Sequence, residues 1–89
     1  MSHKQNIKPS IWGPHGWKFL HYVTLGYPDN PTDSEKQKYN IFFNSLQYVL
    51  PCHKCAINFG DNLKEVPIRL KSKDSLVEWL IEIHNKVNQ

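Results

Sequence analysis

Thr32-Asp33-Ser34-Glu35-Lys36-Gln37-Lys38-Tyr39-Asn40-Ile41-Phe42-Phe43-Asn44-Ser45-Leu46-Gln47-Tyr48-Val49-Leu50-Pro51 is the stretch on which the fold turns. Thr32 followed three residues later by Glu35 is the pattern of a capping box, in which hydroxyl and carboxylate each accept from a backbone N–H that a helix start leaves unpaired. Asp33 and Glu35 also place negative charge at the positive end of the helix dipole. Tyr39, Phe42, Phe43, Leu46, Val49 and Leu50 then recur at the spacing of one α-helical stripe, and Pro51 stops the helix.

The same period extends outward in both directions. Upstream, a helix opens at Trp12 with Pro14 just inside its start, carries Trp17, Leu20, His21, Thr24 and Leu25 on one face, and ends at Gly26. Tyr27-Pro28-Asp29-Asn30-Pro31 makes the turn between the two. Downstream, Pro51 both breaks the second helix and suits the first turn of a third, on which Cys52, Cys55, Ala56, Phe59 and Leu63 share a face; Gly60 is expected to weaken or end it. Pro67 to Lys71 reads as a connection, and Ser75 to Glu78 as another capping box. It opens a fourth helix with Leu80, Ile81, His84 and Val87 inward, running to the end of the sequence. No segment alternates with period two for more than a few residues. The expected fold is all-α, a four-helix bundle, with residues 1–10 a polar N-terminal tail and 11–89 the domain.

The composition bounds what such a bundle can do. Eighty-nine residues leave room for one domain. A net charge of +3 comes from basic residues scattered along the chain, a poor footprint for nucleic acid. No window nears the ~18 consecutive apolar residues of a membrane span, so neither nucleic acid nor membrane is expected as a partner. The N-terminal residues carry neither the apolar run of a signal peptide nor the pattern of a transit peptide, which makes the cytosol the default location. A domain of this size buries only ~60–65% of its unfolded surface, and such domains lean on a disulfide, a metal, a ligand or a second subunit.

Two cysteines are too few for a disulfide-rich scaffold, and their spacing makes them a local unit: Pro51-Cys52-His53-Lys54-Cys55. At a helix N-terminus, free N–H groups and the dipole favour a thiolate, and His53 and Lys54 add positive charge. Because the thiolate is the nucleophile of thiol–disulfide exchange, this arrangement suits a redox-active pair. Two inert buried thiols, or half of a zinc site completed by His15 and His21, are the other readings. His21 and His84 each sit on an apolar stripe. Either alone reads as a satisfied core histidine, but together with Trp17, Asn85 and Asn88 they describe a pocket with flat apolar walls and a few fixed polar groups, suited to an extended aromatic cofactor.

These motifs carry a family resemblance. Trp12-Gly13-Pro14-His15-Gly16-Trp17-Lys18-Phe19-Leu20-His21, then Tyr27-Pro28, then Pro51-Cys52-His53-Lys54-Cys55, then Trp79 and His84-Asn85-Lys86-Val87-Asn88 resemble, in order, the signatures of the Erv/ALR family of FAD-linked sulfhydryl oxidases, over residues 11 to 88. The short form with a W-G-P opening is most similar to viral members.

The resemblance implies an FAD-dependent thiol oxidase that forms disulfides in protein dithiols and passes the electrons to dioxygen, giving hydrogen peroxide. Carried over, Cys55 is the cysteine against the flavin and Cys52 the exposed interchange sulfur. Cofactor contacts fall to Gly13, Trp17, His21, Cys55, His84, Asn85, Val87 and Asn88, with Trp12 and Trp79 as walls; no metal is implied. Family members form homodimers through the outer faces of the first two helices, where Phe19, Val23 and Phe43 are the candidates here. Relatives continue past H-N-x-V-N with a Lys-bearing stretch and a short fifth helix, whereas this sequence ends at Gln89, so the fifth helix is expected to be absent or truncated: either the sequence is a piece of a longer protein, or the adenine end is held less fully. Leu50 replaces the aromatic residue common before the active-site Pro. No second C-x-x-C pair is present, so electrons come directly from a client dithiol or through a thioredoxin-like intermediary. A viral enzyme without a targeting segment would work in host cytoplasm or the virion; cellular relatives occupy the mitochondrial intermembrane space or the secretory pathway. Two alternatives carry different predictions: a zinc-stabilised helical binding module, and a flavin-binding assembly protein without turnover.

Overall fold

Helical periodicity, caps and prolines resolve into four α-helices in a computed structural model that describes residues 5–88: α1 Pro9–Leu25, α2 Asp33–Val49, α3 His53–Glu65 and α4 Lys73–Val87. No strand occurs among the described residues. The capping box on α2 forms as its sequence requires: Thr32 Oγ1 accepts from Glu35 N–H at 3.1 Å, and a Glu35 carboxylate oxygen accepts from Thr32 N–H at 2.8 Å. The Thr32 N–H, and after it the Thr32 hydroxyl, bond to the carboxylate and hold the Glu35 carboxyl below its usual range.

Three boundaries differ from expectation. α1 opens at Pro9, so the end of the expected tail is helical and Pro14 lies inside the helix. Proline at the first helical position costs nothing, because its missing N–H would have been unpaired anyway, and Pro14 interrupts one bond on an exposed face. α3 is capped by Cys52 itself, whose sulfur accepts from Cys55 N–H at 3.3 Å, so Pro51 stands before the helix and not in its first turn. α4 is capped by Ser72, whose hydroxyl accepts from Ser75 N–H at 3.2 Å, one turn earlier than the expected box. That start places Leu76, Trp79, Leu80 and Ile83 on one buried face.

Gly60 neither ends nor disrupts α3. A Cβ there would come within 3.0 Å of Gln47 Oε1 and 3.4 Å of Gln47 Cβ, so the missing side chain lets α3 lie close on α2. α2 packs on α3, α1 packs on α4, and α3 links the two pairs through α4. Between them sit Leu20, Tyr27, Phe43, Leu46, Phe59, Leu63, Leu76, Trp79, Leu80 and Ile83. Trp79 meets Phe43 edge-on at 5.2 Å, and its indole N–H donates to Val66 O at 2.8 Å. Tyr27, which the sequence assigns only to a turn, is buried with its hydroxyl donating to Leu70 O at 2.8 Å.

Several residues assigned to inner stripes are not buried: Leu25, Val49, Ile81 and Val87 are each about half exposed, and Ile83 takes the core position expected of Ile81. Conversely Phe43, expected on an outer interaction face, is fully buried. A stripe on a helix is wider than its buried seam, and which edge is covered depends on where the neighbouring helices cross.

Candidate active site

The dithiol sits where α2 gives way to α3. Cys52 and Cys55 are joined in a disulfide with their Cα atoms 5.2 Å apart, both partly exposed. One turn of helix brings residues i and i+3 together, and the cap at Cys52 places the bond across the N-terminal N–H groups of α3.

On its inner side the disulfide borders a largely apolar cleft of about 400 Å³, lined by Pro9, Trp12, Gly13, Gly16, Trp17, Phe19 and Leu20 of α1, by Phe42, Leu46 and Leu50, by Pro51, Cys55, Asn58 and Phe59, and by Val87 of α4. That volume falls within the ~300–1,000 Å³ typical of small-molecule sites. The α1 wall is cut back to backbone. A Cβ on Gly13 would meet nothing within 4 Å, and one on Gly16 would touch the Trp12 indole at 3.4 Å. The result is a slot with aromatic and aliphatic walls and the Cys55 side of the disulfide on its border.

Behind the Trp17 wall lies a polar pair. Trp17 stacks on His84 with ring centroids 4.0 Å apart and planes 12° from parallel, and His21 Nε2 lies 3.1 Å from His84 Nδ1. One of these nitrogens donates and the other accepts, so the bond requires at least one neutral ring. Burial, and secondarily the His21 ring, holds His84 below the usual imidazole value.

A family model for the Erv1/Alr family matches residues 14–89. The chain belongs to that family. Over 85 residues it is 52% identical to a probable FAD-linked sulfhydryl oxidase of Acanthamoeba polyphaga mimivirus, covering 92% of this chain and 59% of that protein. It is 36% identical over 77 residues to the mitochondrial FAD-linked sulfhydryl oxidase ERV1 of Saccharomyces cerevisiae, covering 86% of this chain and 41% of the yeast protein. The chain thus spans between about two fifths and three fifths of these relatives' lengths. The crystal structure of the yeast Erv1 core superposes with a TM-score of 0.88 at 32% identity, over 99% of this chain and 75% of that one. The FAD binding domain of Erv1 from the same yeast matches equally well at 34% identity, over 93% and 79%. The all-α bundle is the family fold.

Of the residues singled out in the sequence, Trp12, Gly13, Trp17, Cys55 and Val87 converge on the cleft from three helices. His21 and His84 meet behind it. Asn85 is exposed, and Asn88 closes α4 with its N–H donating to His84 O at 3.2 Å. Neither asparagine lines the cleft, and Trp79 stands apart in the core with its N–H already satisfied. His15 is exposed, and no cluster of three or more His, Cys, Asp or Glu able to hold a metal occurs among the described residues. Sequence reasoning missed ten cleft residues, among them Gly16, Phe19, Phe42, Leu46, Leu50, Asn58 and Phe59. Gly16, three after Gly13, carried the available signal, since two glycines one turn apart bare one strip of helix backbone.

Proposed function

We propose that the chain is an FAD-dependent thiol oxidase domain that forms disulfides in protein dithiols, with Cys52–Cys55 as its exchanging pair. The observation that carries this reading is convergence: Cys55 borders the same apolar slot as Trp12, Gly13, Trp17 and Val87, residues drawn from motifs more than seventy positions apart. The slot fits a flat aromatic ring system. Trp12, Gly13, Trp17 and Val87 would bound it, and His21, His84, Asn85 and Asn88 would serve the polar remainder of the cofactor. FAD, when bound, supplies a two-electron acceptor that dioxygen reoxidises with formation of hydrogen peroxide.

The residues of the chain perform the exchange. A client thiolate attacks Cys52 Sγ, the Cys52–Cys55 bond breaks, and Cys55 leaves as a thiolate while a client–Cys52 mixed disulfide forms. The client's second thiolate attacks the client sulfur of that bond and displaces Cys52. The client has then lost two electrons to the pair. The N–H groups at the start of α3 favour the anionic sulfurs formed at each step. Cys55, on the cleft side, is the sulfur held toward the cofactor.

Clients are protein dithiols presented directly or through a thioredoxin-like intermediary. The viral relative favours host cytoplasm or the virion as the setting, with the mitochondrial intermembrane space as the alternative. Self-association through α1 is supported by exposed Ile11 and Tyr22, which lie outside the cleft lining. Sedimentation of the purified chain as a dimer, reduced to monomer by Tyr22→Asp, is the expected result.

The test of function is one preparation reconstituted with FAD. A yellow protein whose visible band bleaches on anaerobic addition of a dithiol, and which consumes oxygen with accumulation of peroxide, is expected. Cys55→Ser should keep the colour and lose turnover by at least about a thousandfold, the scale on which removal of an essential nucleophile is felt. A colourless, inert protein after reconstitution overturns the reading, and colour without turnover replaces it with a flavin-binding assembly role.

A further inference from the structure

The segment that precedes α1 is tied to the dithiol turn. Asn6 Oδ1 accepts from His53 N–H at 2.8 Å, and Ile7 N–H donates to Pro51 O at 2.8 Å. Cys52 lies between those two anchor points. A third bond, from the Trp12 indole N–H to Ile7 O at 2.7 Å, secures the same segment to the wall of the cleft. Residues 6 and 53 are 47 positions apart, so nothing local requires the contact.

We propose that Asn6 and Ile7 form a clasp that positions the Cys52–Cys55 pair for exchange, with Asn6 a positioning residue for that reaction; this rests on reading the pair as the exchanging disulfide. The clasp acts in the reduced state. Once the S–S bond opens, the Pro51–His53 turn is restrained by Pro51, the Cys52 N–H bond to Leu50 O, the α3 cap and the clasp, and the clasp is the one of these that comes from a distant part of the sequence. A turn held in place loses less conformational entropy when the bond closes again, so the two sulfurs have a higher effective concentration and the disulfide is harder to reduce. The His53 N–H is also the first donor of α3, and a fixed acceptor there keeps the helix start from fraying away from Cys52.

The experiment equilibrates the full chain with mixtures of glutathione and glutathione disulfide, in the reaction of one protein disulfide with two glutathiones to give one protein dithiol and one glutathione disulfide. Alkylation then resolves the two protein forms. Asn6→Ala should shift this equilibrium toward the dithiol by about twofold to tenfold, the worth of one hydrogen bond. Asn6→Asp keeps an acceptor for His53 N–H, and its negative charge disfavours the thiolates, so it should remain at or below the wild-type reducibility. Ile7→Pro, which removes the Pro51 contact and leaves the Asn6 amide, should shift in the alanine direction. Asn6 is exposed, so far-UV circular dichroism of its two variants should match wild type. An Asn6→Ala equilibrium equal to wild type, or an Asn6→Asp equilibrium displaced like alanine, overturns the clasp. Neither FAD nor client enters the measurement, so absence of oxidase turnover would leave this result standing, and a failed clasp would leave the oxidase assay untouched.

Discussion

At the scale of single residues, His84 joins stability to pH. Its imidazole is partly buried, stacked on Trp17 and bonded to His21, and burial ahead of the His21 ring lowers its proton affinity below the ordinary value of 6.5. The folded chain therefore binds fewer protons at this site than the unfolded chain. The stabilisation is fully present above 6.5 and is lost as pH falls from there through the folded-state value. Thermal unfolding of the cofactor-free protein should show a midpoint that declines below about pH 6.5, and His84→Gln should flatten that part of the profile. An unchanged slope in the variant would assign the acid sensitivity elsewhere. The sequence announces both histidines through their stripes, yet nothing in it says that they touch: they are 63 positions apart and meet only because α1 lies on α4.

At the scale of elements, α2 and α3 show how far local chemistry reaches. The start of α2 is determined by four consecutive residues, and Thr32 and Glu35 bond as their spacing requires. The start of α4 is ambiguous by the same rule, since Ser72 and Ser75 are both competent caps. The earlier one operates, and the helix it opens carries Leu76, Trp79, Leu80 and Ile83 on its buried face. Gly60 is the opposite case. Propensity alone marks it as a weak point, but the helix continues through it because the α2–α3 contact gains from the close approach. Gly60→Val should therefore destabilise the protein by about 1–3 kcal/mol through overpacking against Gln47, seen as a lower denaturant midpoint with an unchanged slope. If the midpoint instead rose, as helix propensity alone favours for valine over glycine, the close approach would not be the reason for glycine there.

At the scale of the whole molecule, the cleft belongs to no single element. α1 supplies a bared backbone and two indoles, α2 Phe42 and Leu46, α3 the sulfur and Phe59, and α4 Val87. Gly13 tests this assembly cleanly, because a Cβ there would meet no protein atom within 4 Å and the residue itself lines the cleft. Gly13→Leu should leave the cofactor-free thermal midpoint equal or slightly higher, since leucine favours helix by up to about 1 kcal/mol over glycine. The same variant should lower FAD occupancy at least about tenfold by filling the site. Fluorescence titration with FAD beside a melting curve separates the two effects, and undiminished affinity would place the cofactor away from α1.

By itself the sequence determined the four helices, the dithiol and the family motifs. Each is written in short spacings: a capping box over four residues, a C-x-x-C over one helical turn, apolar positions recurring every three or four. Helix N–H satisfaction and the 3.6-residue period act over that same range, so they are legible without the fold. The tertiary structure alone decided which stripe edges are buried, that Phe43 serves the core and Ile83 replaces Ile81 there, that His21 meets His84, and that Asn6 reaches His53. Those outcomes depend on where helices cross and how closely they approach. Crossing is settled by the shapes of all the packed side chains together, a property that no window of sequence contains.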